Sequence, residues 1–307
     1  MNQIGSILDG TVFGPFIFEV ALILRSSLLL NGILTNSEAW YGLEDSDIEE
    51  LEQVDEIYLR KILEVGSGCP KEMLYLETGS IPIRFIIICR RLMFLHYILN
   101  EDSESLIYKC LEAQMRRPCR NDWINSVEKD FKELDIMLTF EDIKALSKQQ
   151  FKTFVDKTIE QKALEYLNKI KLKHSKVLHI EHTSLNLQEY LQPQNIQNIP
   201  LAKFIFHART RMLDVRMNFR NKYKNDDIKC PLKCDTEDDQ KHLLECDKIM
   251  SNLISTPEIA KYEDLFAKDV TKQITIAGIL EEKYKNRKKL LLNNSTLVQS
   301  IATPQLS

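Results

Sequence analysis

Apolar residues along this chain recur every three or four positions and almost nowhere alternate with polar ones, so the pattern predicts an all-α fold. The stripe Ile48, Leu51, Val54, Tyr58 and Ile62 defines one amphipathic helix. Ser46 with Glu49 three residues on opens it, and Gly66 and Gly68 close it. A short helix over 70–77 ends at Gly79. Ser80 then caps a segment running to Leu99, with Pro82 in its first turn, where a missing amide costs nothing. Its apolar residues on every side predict a buried central helix. Helices are also expected over 102–115 and 122–134, and Thr139 and Ser147 each open another. A long amphipathic helix over 148–173 buries Phe151, Phe154, Val155, Ile159, Ala163, Tyr166, Leu167 and Ile170 and turns a lysine-rich side outward.

Periodicity fades over 174–200, where Asn, Gln and Pro accumulate, and this stretch is expected to be a poorly packed linker. Helical spacing returns over 201–219 and sets Arg209, Arg216 and Arg220 near one another. The expected organisation is a multi-helix bundle domain over 1–146, a long helix and linker over 147–199, and a smaller helical region over 200–307. Two apolar runs have the length of a membrane span. The run over 81–99 contains Arg84, Arg90, Arg91 and His96, and at about 2.5–3.5 kcal/mol per central charge it reads as a buried helix. The run over 12–34 contains Glu19, Arg25 and Gly14-Pro15, which favour a core helix over a span. No membrane partner is expected.

Composition changes this picture little: 307 residues, 44% hydrophobic and 28% charged, with a net charge of −4, describe an ordinary globular chain. The charge distribution is more telling. Residues 1–150 carry −10, residues 151–224 carry +8 from 14 basic and 6 acidic groups, and the remainder carries −2. A basic block between acidic ends suits one face meeting an anionic partner, and suits a solvated helix face equally well. Seven cysteines, an odd number, and a start (MNQIGSILDG) without a basic n-region point to a reducing compartment.

The sharpest chemical signal is CPLKCDTEDDQKHLLEC, which spaces Cys230, Cys234, His242 and Cys246 as C-x3-C-x7-H-x3-C. Thiolates and an imidazole are the ligands that tetrahedral Zn2+ prefers, and four protein ligands leave no position for reactive water, so a structural zinc knuckle is expected. His242 and Cys246, four apart, share a helix face, while Pro231 favours the turn joining Cys230 to Cys234. Cys69, Cys89, Cys110 and Cys119 have no ligand spacing and read as buried or incidental thiols. His174, His179 and His182 share no helix face and read as solvated or phosphate-touching. Arg209, Arg211 and Arg216 are candidates for phosphate contacts, with salt bridges to the acidic N-terminal part as the alternative. Lys283, Lys285, Arg287, Lys288 and Lys289 complement a helix C-terminus. No glycine-rich phosphate loop, nucleophile elbow or paired carboxylate motif is present.

The segments GPFIFEVALILRSSLLLNGILTNSEAWYGL, LEQVDEIYLRKIL, PKEMLYLETGSIPIRFIIICRRLMFLHYIL and HARTRMLDVRMNF, with the cysteine-histidine cluster and its HLLEC, resemble the C-terminal portion of a non-LTR (LINE-type, jockey-like) retrotransposon reverse transcriptase. The resemblance implies that residues 1 to about 100 correspond to the thumb and adjoining helices. It matches the four cysteine-histidine residues to the family's zinc ligands, and Arg209 and Arg211 to its basic helix. It also implies element RNA and target DNA as partners, the polymerase palm as a further one, and a cytoplasmic and nuclear ribonucleoprotein rather than a secreted protein. The aspartates a polymerase needs for its two metal ions are not matched. Of the two Asp-Asp pairs, Asp226-Asp227 stands one residue too far from Tyr223 and Asp238-Asp239 lies inside the cysteine-histidine segment. No catalytic residue is therefore assigned, and this chain alone is expected to bind nucleic acid without polymerising or cutting it, as a fragment of the element would. The alternative is a non-enzymatic zinc-binding scaffold for protein partners.

Overall fold

The computed structural model describes residues 13–117, 119, 121–222, 228–249 and 261–301, without the side chains of 220–222 and 294–301. It is all-α: among the described residues the only β feature is an isolated bridge between Lys229 and Glu237. In chain order the principal helices are α1 (Ile17–Leu24), α2 (Asp45–Leu63), α3 (Lys71–Thr78), α4 (Ile83–Leu99), α5 (Leu106–Arg116), α6 (Trp123–Glu133), α7 (Phe140–Ala145), α8 (Lys148–Lys171), α9 (Ile199–Arg209), α10 (Gln240–Glu245) and α11 (Val270–Ile301). A π-helical stretch, Arg25–Leu30, prolongs α1.

α4 is the hub, touched by α2, α5, α6, α7 and α8. Its apolar residues bury Ile83, Phe85, Ile87, Ile88, Leu92, Leu95, Ile98 and Leu99, as the sequence predicts. Two of its polar residues are hydrogen-bonded to neighbouring elements: Arg90 donates to the Leu34 carbonyl and to Asn31 Oδ1 (2.9 Å), and His96 Nε2 lies 2.9 Å from the Leu146 carbonyl. The helix Gly14–Ile33 is long and apolar enough to cross a membrane, with a mean hydropathy of 1.7 and 28% of that window buried. Its Arg25 makes a bidentate pair with Asp55, both contacts at 2.6 Å, in the protein interior.

Helix ends differ from the sequence reading where backbone geometry decides. The expected Ser46–Glu49 capping box is replaced by one two residues earlier, between Glu44 and Asp47, and α2 stops at Glu64 in the left-handed region rather than at the glycines. Pro82, not Ser80, occupies the N-cap position of α4, with no side-chain cap. Thr139 and Ser147 do form capping boxes, with Asp142 and Gln150. In α8 the core face is Phe151, Val155, Ile159, Ala163 and Leu167, whereas Phe154 is 36% exposed and Tyr166 and Ile170 are half-buried.

The stretch expected to be a loose linker is part of the core. Val177, Ile180, Leu185, Tyr190 and Leu191 are buried, in the same continuous cluster as residues from Ile17 to Leu280. Short 3-10 turns replace helical periodicity there, which is why the apolar pattern could not reveal the packing. The backbone of this stretch crosses the end of α3, where the Gln188 amide donates to the Glu77 carbonyl at 3.0 Å. Gly79 makes the crossing possible: its φ is +67° and a Cβ would stand 2.4 Å from the Asn186 carbonyl carbon. Gly79→Ala is accordingly expected to cost about 2–4 kcal/mol, combining left-handed strain with overpacking. Gly42→Ala, at the same φ of +67° but with open space around it, should cost only the backbone part. Denaturant unfolding of the two variants checks this; equal losses would refute the steric account.

Candidate metal centre and the basic segment beside it

Cys230, Cys234, His242 and Cys246 converge so that one ligand atom from each lies within 4.8 Å of all the others. These four residues can hold a metal ion. Local chemistry assembles them in two halves. Cys230 and Cys234 flank a turn in which the Lys233 amide donates to the Cys230 carbonyl (3.0 Å), with Lys233 left-handed at φ 64°. The turn is fastened on both sides, by the Cys230 amide donating to the Thr236 carbonyl (2.9 Å) and by Lys248 Nζ donating to the Leu232 carbonyl (2.8 Å). His242 and Cys246 come from α10, whose N-cap Asp239 accepts from the His242 amide at 2.6 Å. Cys246 follows the last turn and so falls one turn from His242.

The geometry is compatible with zinc. Four-coordinate zinc with Zn–S bonds of about 2.3 Å places its sulfurs about 3.8 Å apart, and Cys234 Sγ and Cys246 Sγ are 3.7 Å apart. The Thr236 hydroxyl lies 2.9 Å from His242 Nδ1 and 3.2 Å from Nε2, so hydrogen bonding at one ring nitrogen leaves the other for a metal. Cys230 and Cys246 are buried and Cys234 and His242 half-buried.

Both members of the Asp238-Asp239 pair have structural duties. Asp239 caps α10, and the buried Asp238 accepts from Arg287 Nη2 (2.6 Å) and from the Arg216 amide (2.9 Å). Gln240 bridges to the Ala208 carbonyl (2.8 Å) and the Tyr262 hydroxyl (2.9 Å), tying the module to α9. Lys283 and Arg287 do not complement a helix end, because α11 continues to Ile301: both are buried, donating to the carbonyls of Leu244 and Asp214 respectively. Asp226-Asp227 lies outside the described residues, as does the Arg220 side chain.

The three arginines expected to touch phosphate part company. Arg209 is 3% exposed, with Nε and Nη2 at 3.2–3.3 Å from the carboxylate of the fully buried Glu77 and Nη1 donating to the Leu265 carbonyl (3.0 Å). It is withdrawn from the nucleic-acid candidates, because α9 ends at this residue and carries it inward. The predicted helix over 201–219 is in fact confined to Ile199–Arg209, with a separate 3-10 segment from Arg216, so Arg209 and Arg216 share no helix face. Arg211, left-handed at φ 59°, is half-buried, with its guanidinium 5.4 Å from the centre of the Tyr262 ring and its Nε buried without a hydrogen-bond partner among the described residues. Arg216 donates through Nη1 to the Lys229 carbonyl (3.1 Å) beside the metal module.

Two further groups join Arg211: Lys176, and His179, which the sequence read as solvated or phosphate-touching. Lys176 stands over the Phe219 ring and the His179 ring meets the edge of Phe266 at 4.3 Å. Partial burial, then the positive charge of Arg211, lowers the affinity of both Lys176 and His179 for their protons. His182, expected to be solvated, has a fully buried side chain 3.2 Å from Glu77 Oε1, and Tyr190 donates to Glu77 Oε2 at 2.7 Å. A glutamate on the apolar stripe of PKEMLYLETG was the available signal for that network. No protein family, curated protein or solved structure matches this chain.

Proposed function

We propose that this chain is a nucleic-acid-binding module of the non-LTR reverse-transcriptase kind, with a structural zinc ion at Cys230, Cys234, His242 and Cys246 and no polymerase chemistry of its own. The observation that carries the reading is the gathering of Lys176 and His179 around Arg211, where partial burial and then the positive charge of Arg211 lower the proton affinity of both, among Phe219, Tyr262 and Phe266. Cations interleaved with aromatic rings suit a phosphate backbone with exposed bases. The four-ligand site has no open position, so its metal would brace the neighbouring surface rather than activate water.

Gel-shift titrations with structured RNA and duplex DNA at two salt concentrations test this. Affinity should fall steeply with salt, and Arg211→Ala and Lys176→Ala should each weaken binding across all sequences, flattening the salt slope by about one per lost phosphate contact. Salt-insensitive or absent binding would refute the reading. It would favour a protein-binding scaffold, toward which the exposed Phe16, Ile23 and Leu28 of the N-terminal helical segment point.

A further inference from the structure

The segment from Lys169 to Ile180, KIKLKHSKVLHI, holds four lysines and two histidines and no acidic residue. It covers the end of α8 and the 3-10 turn Ser175–Val177. Lys171 is buried and donates to the Ile180 carbonyl, which closes the segment into a loop and returns His179 to the end of α8. The Lys173 amide donates to the Ile170 carbonyl at 2.9 Å, so the chain is still turning there, and Lys169 and Lys173 stand about one turn apart. Both are exposed, and neither ammonium has an ion pair or hydrogen bond among the described residues. Elsewhere on α8, Lys152 and Lys162 are paired with Asp156 and Asp135. His174 lies 3.5 Å from the buried Glu72 and is not counted with these cations.

Lys176 follows Lys173 by three residues, so the loop carries a row of cations that leads from Lys169 toward Arg211, whose charge acts on both Lys176 and His179. Apolar groups accompany the row. Leu172 is 69% and Leu178 46% exposed, and the Phe219 and Phe266 rings are half-buried. In a duplex the base faces are stacked on one another, and such groups would meet only backbone; an unpaired strand offers base faces and phosphates together. We propose that the binding surface continues past Lys176 along Lys173 to Lys169 and takes a single, unpaired strand, with phosphates on the three lysines and Arg211 and bases against the apolar groups beside them. This extension rests on the nucleic-acid reading above.

Fluorescence anisotropy of the full chain tests it, with a labelled oligothymidylate of about twelve nucleotides and a duplex of the same length as probes, at about 50 and 200 mM salt. The single strand should bind at least about tenfold more tightly than the duplex. Its salt slope should be about −2.8, at about −0.7 for each of the four cations. Lys169→Ala combined with Lys173→Ala should bring the slope to about −1.4 and weaken binding several-fold. Lys148→Ala combined with Lys157→Ala should change neither, because these exposed lysines lie about 32 and 18 Å from Lys169 along α8. Binding that needs Arg211 and Lys176 but is indifferent to Lys169 and Lys173, equal losses in the two double variants, or a duplex bound as tightly as the strand would each overturn the extension and leave the nucleic-acid reading standing. Absence of salt-sensitive binding to either probe would overturn both.

Discussion

If Cys230, Cys234, His242 and Cys246 hold zinc as proposed, stripping it with a strong chelator, or replacing Cys246 with serine, is expected to unfold the segment from Ile228 to Ile249 while helices α2 to α8 stay folded. Few apolar groups support that segment: Ile228, Leu232, Leu243, Leu244 and Ile249 are its buried aliphatic residues. Ordering the seventeen residues from Cys230 to Cys246 costs on the order of 25 kcal/mol at about 1.5 kcal/mol per residue. Structural zinc supplies an apparent 10–16 kcal/mol to peptides of this kind. The loss would spread to the Asp238–Arg287 pair and to the Gln240 contacts, because these are made by residues between or just beside the ligands. Amide exchange resolved by segment, with zinc measured on the purified protein, checks the result. Less than about half an equivalent of zinc, together with unchanged exchange after Cys246→Ser, would refute a metal-held module.

Glu77→Ala should destabilise the whole fold by about 3–5 kcal/mol, the cost of breaking a buried pair from one side. Arg209 and His182 would be left facing an empty space, and the Tyr190 hydroxyl would lose its acceptor. Burial alone would raise the Glu77 carboxyl, but the charge of Arg209 and the hydrogen bonds from His182 and Tyr190 overcome it and hold it at about 2. A depressed carboxylate contributes its stability in full above its ordinary value near 4.5, and that contribution, about 3 kcal/mol, is lost as pH falls through 2. Urea unfolding from pH 7 to pH 2 should therefore show an acid-sensitive component that Glu77→Gln lacks. The double replacement Glu77→Leu with Arg209→Met should recover much of the loss, because it removes both charges together. A double variant as unstable as Glu77→Ala would show that the network is valued for something other than charge pairing.

The Arg209 result shows where pattern reading stops. Its neighbours in sequence are basic, and linear spacing treats Arg209 and Arg211 alike. Yet α9 ends at Arg209 and the backbone turns left-handed at Arg211, so one guanidinium is carried to Glu77, 132 residues away, and the other to the Tyr262 ring. Charge clustering along a chain cannot distinguish a cation with a buried partner from one facing outward, since the partner arrives from a different element. The docked stretch over 174–200 was hidden for a related reason. Its turns have neither the 3.6 nor the 2.0 residue period, so five buried apolar residues fell into no recognisable stripe.

What the chain's own order of residues settled is local in origin: the all-α class, the buried character of α4, the caps at Thr139 and Ser147, and the four potential metal ligands, whose convergence needs only one turn and one short helix. These depend on contacts within a few residues, which sequence spacing encodes directly. Tertiary structure decided everything that joins distant elements. It buried Glu77 with Arg209 and His182, fastened the metal module to α11 through Asp238 and Arg287, and set Arg91 beside Asp130. Charges pair where packing brings them together, and that placement is a property of the assembled core rather than of any single helix.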